Sequence, residues 1–120
     1  MIKVSYFVRR LPASSKAEFQ RYWRENHAAL IKRHAAVFGI SRYVQFHASD
    51  DPRNAPNEAF PERYDGVAEL WFRDAAALEE WFGNHSPEAK AAGKEIRADE
   101  RTFIDRANSP FVVGEEVVVI

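Results

Sequence analysis

Residues 19–30 read FQRYWRENHAAL, and this stretch decides the fold that the rest of the chain can adopt. Its apolar side chains recur at helical spacing, with Phe19, Trp23 and His27 at every fourth residue. Side chains spaced in this way stack on one face of a helix. We therefore predict a helix that turns an aromatic stripe and one histidine toward the core.

His27 is the first candidate for chemistry, because a buried imidazole needs partners for its ring nitrogens or a cavity beside it. The functional interpretation is a general acid or base, or a donor to a substrate oxygen, since the ordinary histidine pKa lies near neutral pH. The alternative is a core histidine that bonds a backbone carbonyl or a strand side chain. Phe19 and Trp23 are likewise either core residues or the apolar wall of a substrate pocket.

Strand and helix patterns continue on both sides of this stretch. An alternating apolar segment at 2–10 predicts a strand, and Ser15 with Glu18 forms the capping box that begins the helix. The helix should run to Phe38, with Gly39 as its stop. We predict further strands over 40–47, 64–72 and 111–120, helices that begin after Asp74 and Ser86, and a long polar loop over 48–63.

The order strand, helix, strand, strand, helical region, strand is the βαββαβ arrangement of a ferredoxin-like α+β fold. Four antiparallel strands would carry helices on one face only, within a single domain that spans residues 1–120. The strands at 64–72 and 111–120 carry apolar residues on both of their faces. The face of the sheet without helices therefore also has apolar side chains to bury. We predict a homodimer through this open face; the alternative is a monomer with a few exposed valines.

Composition excludes several classes of protein. The 17 lysines and arginines are balanced by 18 aspartates and glutamates, so no basic excess favours nucleic acid as a partner. The chain has no cysteine, its four histidines are scattered, and it lacks a glycine-rich phosphate cradle, so we expect neither a metal nor a cofactor. No apolar stretch approaches the roughly 20 residues that span a bilayer, and we expect a cytoplasmic protein without a membrane partner.

Four segments resemble the EthD family of the dimeric α+β barrel superfamily, namely residues 19–30 (FQRYWRENHAAL), 42–45 (RYVQ), 64–72 (YDGVAELWF) and 99–105 (DERTFID). They occur in the family's order and cover nearly the whole chain. Relatives often follow the histidine with Ala-Pro-Leu, whereas this chain has Ala28-Ala29-Leu30. Alanine suits a helix that continues straight past the histidine better than proline does.

The resemblance implies a ferredoxin-like protomer that pairs through its sheet into a closed barrel, with a small-molecule pocket between sheet and helices. The family's name comes from ether degradation, where such a protein accompanies an oxidative system. Similar domains are decarboxylases or dehydratases of aromatic polyketides, and superfamily relatives include cofactor-free monooxygenases and lactone isomerases. We predict a cofactor-independent enzyme for a small oxygenated aromatic or polyketide-like compound, by acid/base lyase or isomerase chemistry or as the oxidoreductase of the family's loose label. The alternatives are a non-catalytic protein that binds a small hydrophobic ligand or supports an oxidative degradation system, and a purely structural dimer.

The predicted site gathers aromatic and titratable side chains around that pocket. His27 would transfer protons, and Tyr43 or Tyr64 would polarise a substrate carbonyl, although each tyrosine alone suits a packing role. The predicted substrate-binding residues are Phe19, Trp23, Tyr6, His47, Glu69 and Trp71.

Acidic residues are weaker candidates. A buried Asp65 or Glu69 would have a raised pKa, but we favour a structural pairing of Glu69 with an arginine such as Arg42 or Arg9. Asp99, Glu100 and Asp105 are interpreted as solvated or capping residues.

Overall fold

A computed structural model describes residues 2–120 and has the predicted order of elements. The first half consists of strand β1 (Ile2–Val8), helix α1 (Lys16–Tyr22), a π-helical turn (Trp23–His27), helix α2 (Ala28–His34) and strand β2 (Ile40–His47). The second half consists of a 3₁₀ turn (Pro52–Asn54), β3 (Gly66–Phe72), α3 (Ala75–Gly83), α4 (Pro87–Glu100), a second 3₁₀ turn (Arg106–Asn108) and β4 (Phe111–Glu115).

The four strands form one antiparallel sheet in the order β2-β3-β1-β4. The helices cover one face, where alternate strand residues such as Val4, Val8, Leu70 and Phe72 are buried against them. The ferredoxin-like α+β fold predicted from the sequence is therefore confirmed. On the opposite face, Phe46 and Val112 are exposed.

The predicted helix starts are confirmed by side-chain caps, which satisfy backbone N–H groups that have no partner within the helix. Ser15 Oγ accepts a hydrogen bond from the Glu18 N–H at 3.1 Å. Asp74 and Ser86 cap α3 and α4 in the same way. Gly39 has φ +61°, a left-handed conformation that favours glycine over other residues, and it leads the chain into β2.

The first helical segment differs from the single helix predicted over residues 15–38. A π-helical turn interrupts it, in which the Ala28 N–H bonds the Trp23 carbonyl five residues earlier. The Gln45 amide donates to the same carbonyl at 2.9 Å, so β2 and the helix share this oxygen. The turn ends at His27, and α2 continues as regular α-helix through Ala28, Ala29 and Leu30. It ends at His34, four residues before the predicted end.

The last strand is shorter than the predicted 111–120 and ends at Glu115. The reason lies in the register, because Glu115 pairs with Ile2, where β1 begins. Within the described residues 2–120, no strand pairs with residues 116–120, and the residues from Val117 to Ile120 are at least 83% exposed.

Candidate functional site

A cavity of about 550 Å³ opens between the sheet and the helices α3 and α4. Its volume falls in the range of sites that hold small molecules. Apolar side chains form most of its wall, among them Val4, Phe38, Leu70, Trp81, Ile96 and Phe111. Phe82 and Phe111, whose ring centroids lie 5.1 Å apart, are half exposed and stand at its mouth. The cavity therefore has an apolar interior with an aromatic entrance.

Glu100, the last residue of α4, is the titratable group best placed for chemistry in this cavity. Its side chain is 13% exposed, and burial raises the pKa of its carboxyl to about 7. Arg106 and Arg97 act in the opposite direction, with the Arg106 Nε 3.8 Å from Glu100 Oε2. Even beside these guanidinium groups, both protonation states of Glu100 are populated at neutral pH.

Tyr6, from the centre of β1, lines the same cavity. Burial, followed by the charge of Glu100, raises the pKa of its phenol to about 12, while the adjacent Arg106 lowers it. The phenol therefore keeps its proton at neutral pH and is available as a donor. The cavity combines a neutral donor, a carboxyl group that titrates near pH 7 and a cation in an apolar enclosure.

The interpretation of Glu100 as a solvated or capping residue was wrong, and its own helix carried the signal for the correct placement. Ala89, Ala92 and Ile96 are buried at helical spacing along α4, and Glu100 follows Ile96 by four residues. The same spacing that places the apolar residues toward the sheet therefore places Glu100 there as well.

His27 lies in a different environment, outside the cavity wall. It is 5% exposed, its Nδ1 lies 2.7 Å from Asp99 Oδ2, and its ring packs on Phe103 at 5.0 Å. Burial lowers the His27 pKa, although the hydrogen bond to Asp99 raises it. The lowered pKa favours the neutral imidazole, and in the tautomer with the proton on Nδ1 the Nδ1–H donates a hydrogen bond to Asp99 Oδ2.

The other oxygen of Asp99 accepts a hydrogen bond from the Tyr22 hydroxyl. This bond is the main cause of the raised Tyr22 pKa. Two neutral donors on the first helical segment thus hold one carboxylate of α4, and Asp99 is neither simply solvated nor a cap.

Another group of predicted residues packs beneath the first helix. The Gln45 amide donates to the Tyr43 hydroxyl at 2.9 Å as well as to the Trp23 carbonyl, which leaves its oxygen to accept from His47 Nε2 at 2.8 Å. His47 stacks on Trp23 with 4.4 Å between ring centroids, and Trp23 packs on Phe19 at 5.5 Å. Burial raises the pKa of Tyr43 to about 12. None of these side chains lines the cavity.

Glu69 and Trp71 lie on the open face of the sheet. Lys3 and Arg42 each stack on the Trp71 ring, with their cationic centres 4.6 Å from its centroid. Glu69 forms an ion pair with Lys3. Glu69 thus has a structural ion-pair partner, as expected, but the predicted arginine partner was wrong. The register pairs Ser5 with Glu69, and Lys3, two residues earlier on the same face of β1, reaches the carboxylate.

Tyr64 and Asp65 precede β3 at the end of the sheet. Tyr64 is 39% exposed and packs beside Phe7 and under the Arg9 guanidinium. Asp65 is buried, accepts the Arg10 backbone N–H at 2.7 Å and forms an ion pair with the Arg10 side chain. Of the nine predicted site residues, Tyr6 alone therefore reaches the cavity.

Residues 2–120 contain no group of three or more histidine, aspartate or glutamate side chains arranged to hold a metal ion. Over the same part of the chain, no helix combines the length and apolar character that crossing a membrane requires.

Comparison with known proteins places the chain in a family. The model of the EthD domain matches residues 11–107, which include α1 to α4, strands β2 and β3, and the first two residues of the second 3₁₀ turn. No curated protein matches the sequence.

Solved structures match over almost the entire chain. An EthD family protein from Bacillus halodurans C-125 is 20% identical, with a TM-score of 0.62 over 98% of this chain and 99% of that one. A dimeric protein of unknown function with a ferredoxin-like fold from Bacteroides fragilis is 13% identical, with a TM-score of 0.61 over 96% and 95%. A dimeric ferredoxin-like protein of unknown function from Jannaschia sp. CCS1 is 17% identical, with a TM-score of 0.57 over 96% and 98%. At these identities the likeness shows the fold alone.

Proposed function

Since this chain belongs to the EthD family, we propose that it is a cofactor-independent acid/base enzyme that moves a proton on a small apolar carbonyl compound. The observation that carries this proposal is the Glu100 carboxyl, with its pKa of about 7, inside an apolar cavity of about 550 Å³. A general acid or base works best when its pKa lies near the working pH, because both protonation states are then available.

The chemistry needs two groups that the cavity supplies. Glu100 in its ionised form removes a proton from the carbon beside a bound carbonyl, and the electron pair of that C–H bond forms the enolate. Tyr6 donates a hydrogen bond to the carbonyl oxygen, where the negative charge develops, and the low polarity of the wall strengthens that bond. Return of the proton from Glu100 to a different carbon completes an isomerisation. In an elimination, the enolate electrons form a C=C bond as the adjacent bond to the leaving group breaks, and the leaving group departs with that electron pair and takes the proton from Glu100.

The catalytic roles predicted for His27, Tyr43 and Tyr64 stay predictions. Because none of them lines the cavity, a substrate bound there would meet Glu100 and Tyr6 instead. A substrate for His27 would need an opening beside a ring that is 5% exposed. The cavity is therefore the better-supported location for the reaction.

The proposal is tested with 2-tetralone, an aromatic ketone whose acidic C–H protons exchange with D₂O and can be followed by proton NMR. We expect the protein to raise the exchange rate above that of buffer in proportion to its concentration. Ala107 lines the cavity from an exposed position, so Ala107→Trp should obstruct the entrance and lower the rate at least about tenfold, whereas the matched Ala107→Ser should not. A wild-type rate equal to that of buffer contradicts the proposal.

One observation favours a non-catalytic binding protein as the second candidate function. Glu100 has a cation, Arg106, within the same cavity, and a carboxylate with its own partner can serve structure alone. In that case 2-tetralone would bind without any increase in its exchange rate. Binding is measured by the quenching of the fluorescence of Trp81, which lies in the cavity wall.

We also propose that a second copy of this chain covers the open face of the sheet. The solved relatives from Bacteroides fragilis and Jannaschia sp. are described as dimeric. In this chain, the face carries the exposed Phe46 and Val112 together with the Trp71 ring between its two cations. An exposed apolar patch of this kind suits a two-fold interface, in which the same surface of both copies is covered.

Phe46→Glu should therefore convert the dimer to monomer, because it places a carboxylate in the apolar part of the face twice per dimer. We expect the dissociation constant to rise at least about tenfold, which corresponds to about 1.4 kcal/mol. Sedimentation velocity over a concentration series measures it. Phe60→Glu is the matched control, since Phe60 is 64% exposed against 63% for Phe46 but lies in the loop before β3. Equal dissociation of both variants, or of neither, would rule out this interface.

A further inference from the structure

The hydrogen bonds on Asp99 connect the first helical segment to the residue immediately before Glu100. We propose that Asp99 is a positioning residue for Glu100, and that His27 and Tyr22 hold it in place. This inference rests on the proposed function of Glu100 as the group that moves the proton. It gives the buried histidine a role that acts through its neighbour on α4.

The geometry of α4 links the side-chain direction of Asp99 to that of Glu100. Consecutive residues of an α-helix point about 100° apart, so fixing Asp99 against the first helical segment fixes Glu100 toward the cavity. Both residues lie in the last turn of α4, where helices tend to fray. Phe103, one turn further on, packs against both Tyr22 and His27 at 5.0 Å, so the same two side chains clamp this end of the helix.

The network also sets the charge beside Glu100. His27 and Tyr22 are neutral donors, so they hold the Asp99 carboxylate without cancelling its charge. That negative charge raises the pKa of Glu100, although less than burial does. The other charged or titratable groups that act on Glu100 are Arg97 from α4, Arg101 directly after α4, Arg106 from the second 3₁₀ turn, Tyr6 from β1 and Tyr43 from β2.

The test reads the titration of Glu100 directly, without a substrate. Protein labelled with ¹³C at the glutamate carboxyls gives one Glu100 resonance, which Glu100→Gln assigns by its disappearance. Asp99→Asn should lower the midpoint by about half a pH unit or more, because it removes a nearby like charge. His27→Leu should also lower the midpoint, since Asp99 loses a hydrogen-bond donor and turns away from Glu100. His27→Asn should bring the midpoint back to the wild-type value, because it places an amide N–H near the position of Nδ1.

The matched control is Glu95→Gln, which also removes one negative charge from α4. Glu95 bonds Arg33 and His34 of α2 on the exposed side of the helix, so we expect the Glu100 midpoint to stay at its wild-type value. Loss of thermal stability in Asp99→Asn and His27→Leu with an unchanged Glu100 midpoint would overturn the positioning role. An unchanged midpoint would not affect the 2-tetralone result. Conversely, if the Glu100 midpoint shifts as expected but the protein does not accelerate 2-tetralone exchange, only the proposed function is overturned.

Discussion

Glu100→Gln lowers the rate of 2-tetralone exchange at least about 100-fold at pH 7, if Glu100 is the general base of this cavity. Glutamine keeps the size and polarity of the side chain but cannot accept the proton, and a positioned acid or base is worth about 10²–10⁴ in rate. Proton NMR in D₂O measures the rate, and tryptophan quenching checks that 2-tetralone still binds. The matched variant Glu95→Gln, on the exposed side of α4, keeps the wild-type rate.

The pH dependence of the wild-type rate should follow the same carboxyl. Ionised Glu100 is the base, so the rate should rise with pH and level off above a midpoint near 7. An activity that survives Glu100→Gln but is lost in His27→Ala would contradict the assignment and support the catalytic role predicted for His27 from the sequence.

Folding stability gives an independent check that Glu100→Gln is not simply misfolded. Because folding raises the pKa of Glu100 from its ordinary 4.5 to about 7, the folded state holds this proton more tightly than the unfolded state. The contribution of Glu100 to stability is therefore full below about pH 4.5 and is lost as the pH rises through 7. At pH 8 the variant should be more stable than the wild type, by up to about 3 kcal/mol, and at pH 4 the difference should vanish.

Local signals in the sequence were sufficient for the fold. The caps at Ser15, Asp74 and Ser86 start the helices because each satisfies a backbone N–H within three residues, a contact that depends on sequence neighbours alone. The strand over 40–47 was likewise bounded correctly, with Gly39 before it. What failed at the helix level was the π-helical turn, which involves a hydrogen bond from Gln45 on another element.

The candidate site was predicted less well because it depends on contacts distant in sequence. Seventy-two residues separate His27 from Asp99, and nothing in either segment alone shows that they meet. The stripe at Phe19, Trp23 and His27 is buried as predicted, but burial against the sheet did not imply contact with the cavity. Glu100 was predictable, because α4 carries it on the same face as the buried Ile96. The acidic residues at the end of the helix led instead to the interpretation that Glu100 is exposed to solvent.

Trp23→Ala should be among the most damaging substitutions in the core, with a loss of about 3–5 kcal/mol in the free energy of unfolding. Trp23 is 1% exposed and packs between Phe19 and His47. Gly66 makes room for its ring, because a Cβ there would lie 2.7 Å from Cζ3 of the indole. An alanine leaves a closed void in this layer, which the sheet and helix backbones cannot fill by small shifts.

The matched control is Trp81→Ala, the same substitution at the cavity wall. Trp81 also packs on aromatic core residues, Phe38 at 5.1 Å and Phe72 at 5.8 Å, but one side of it already faces the cavity. Its removal enlarges a space open to water instead of creating a sealed void, so we expect a smaller loss, about half that of Trp23→Ala or less. Urea unfolding followed by circular dichroism, at one protomer concentration for both variants, measures the difference. A domain of this kind is stable by only about 5–15 kcal/mol, so Trp23→Ala should shift the urea midpoint clearly. Equal losses in the two variants would show that the layer around Trp23 is no more tightly packed than the cavity wall.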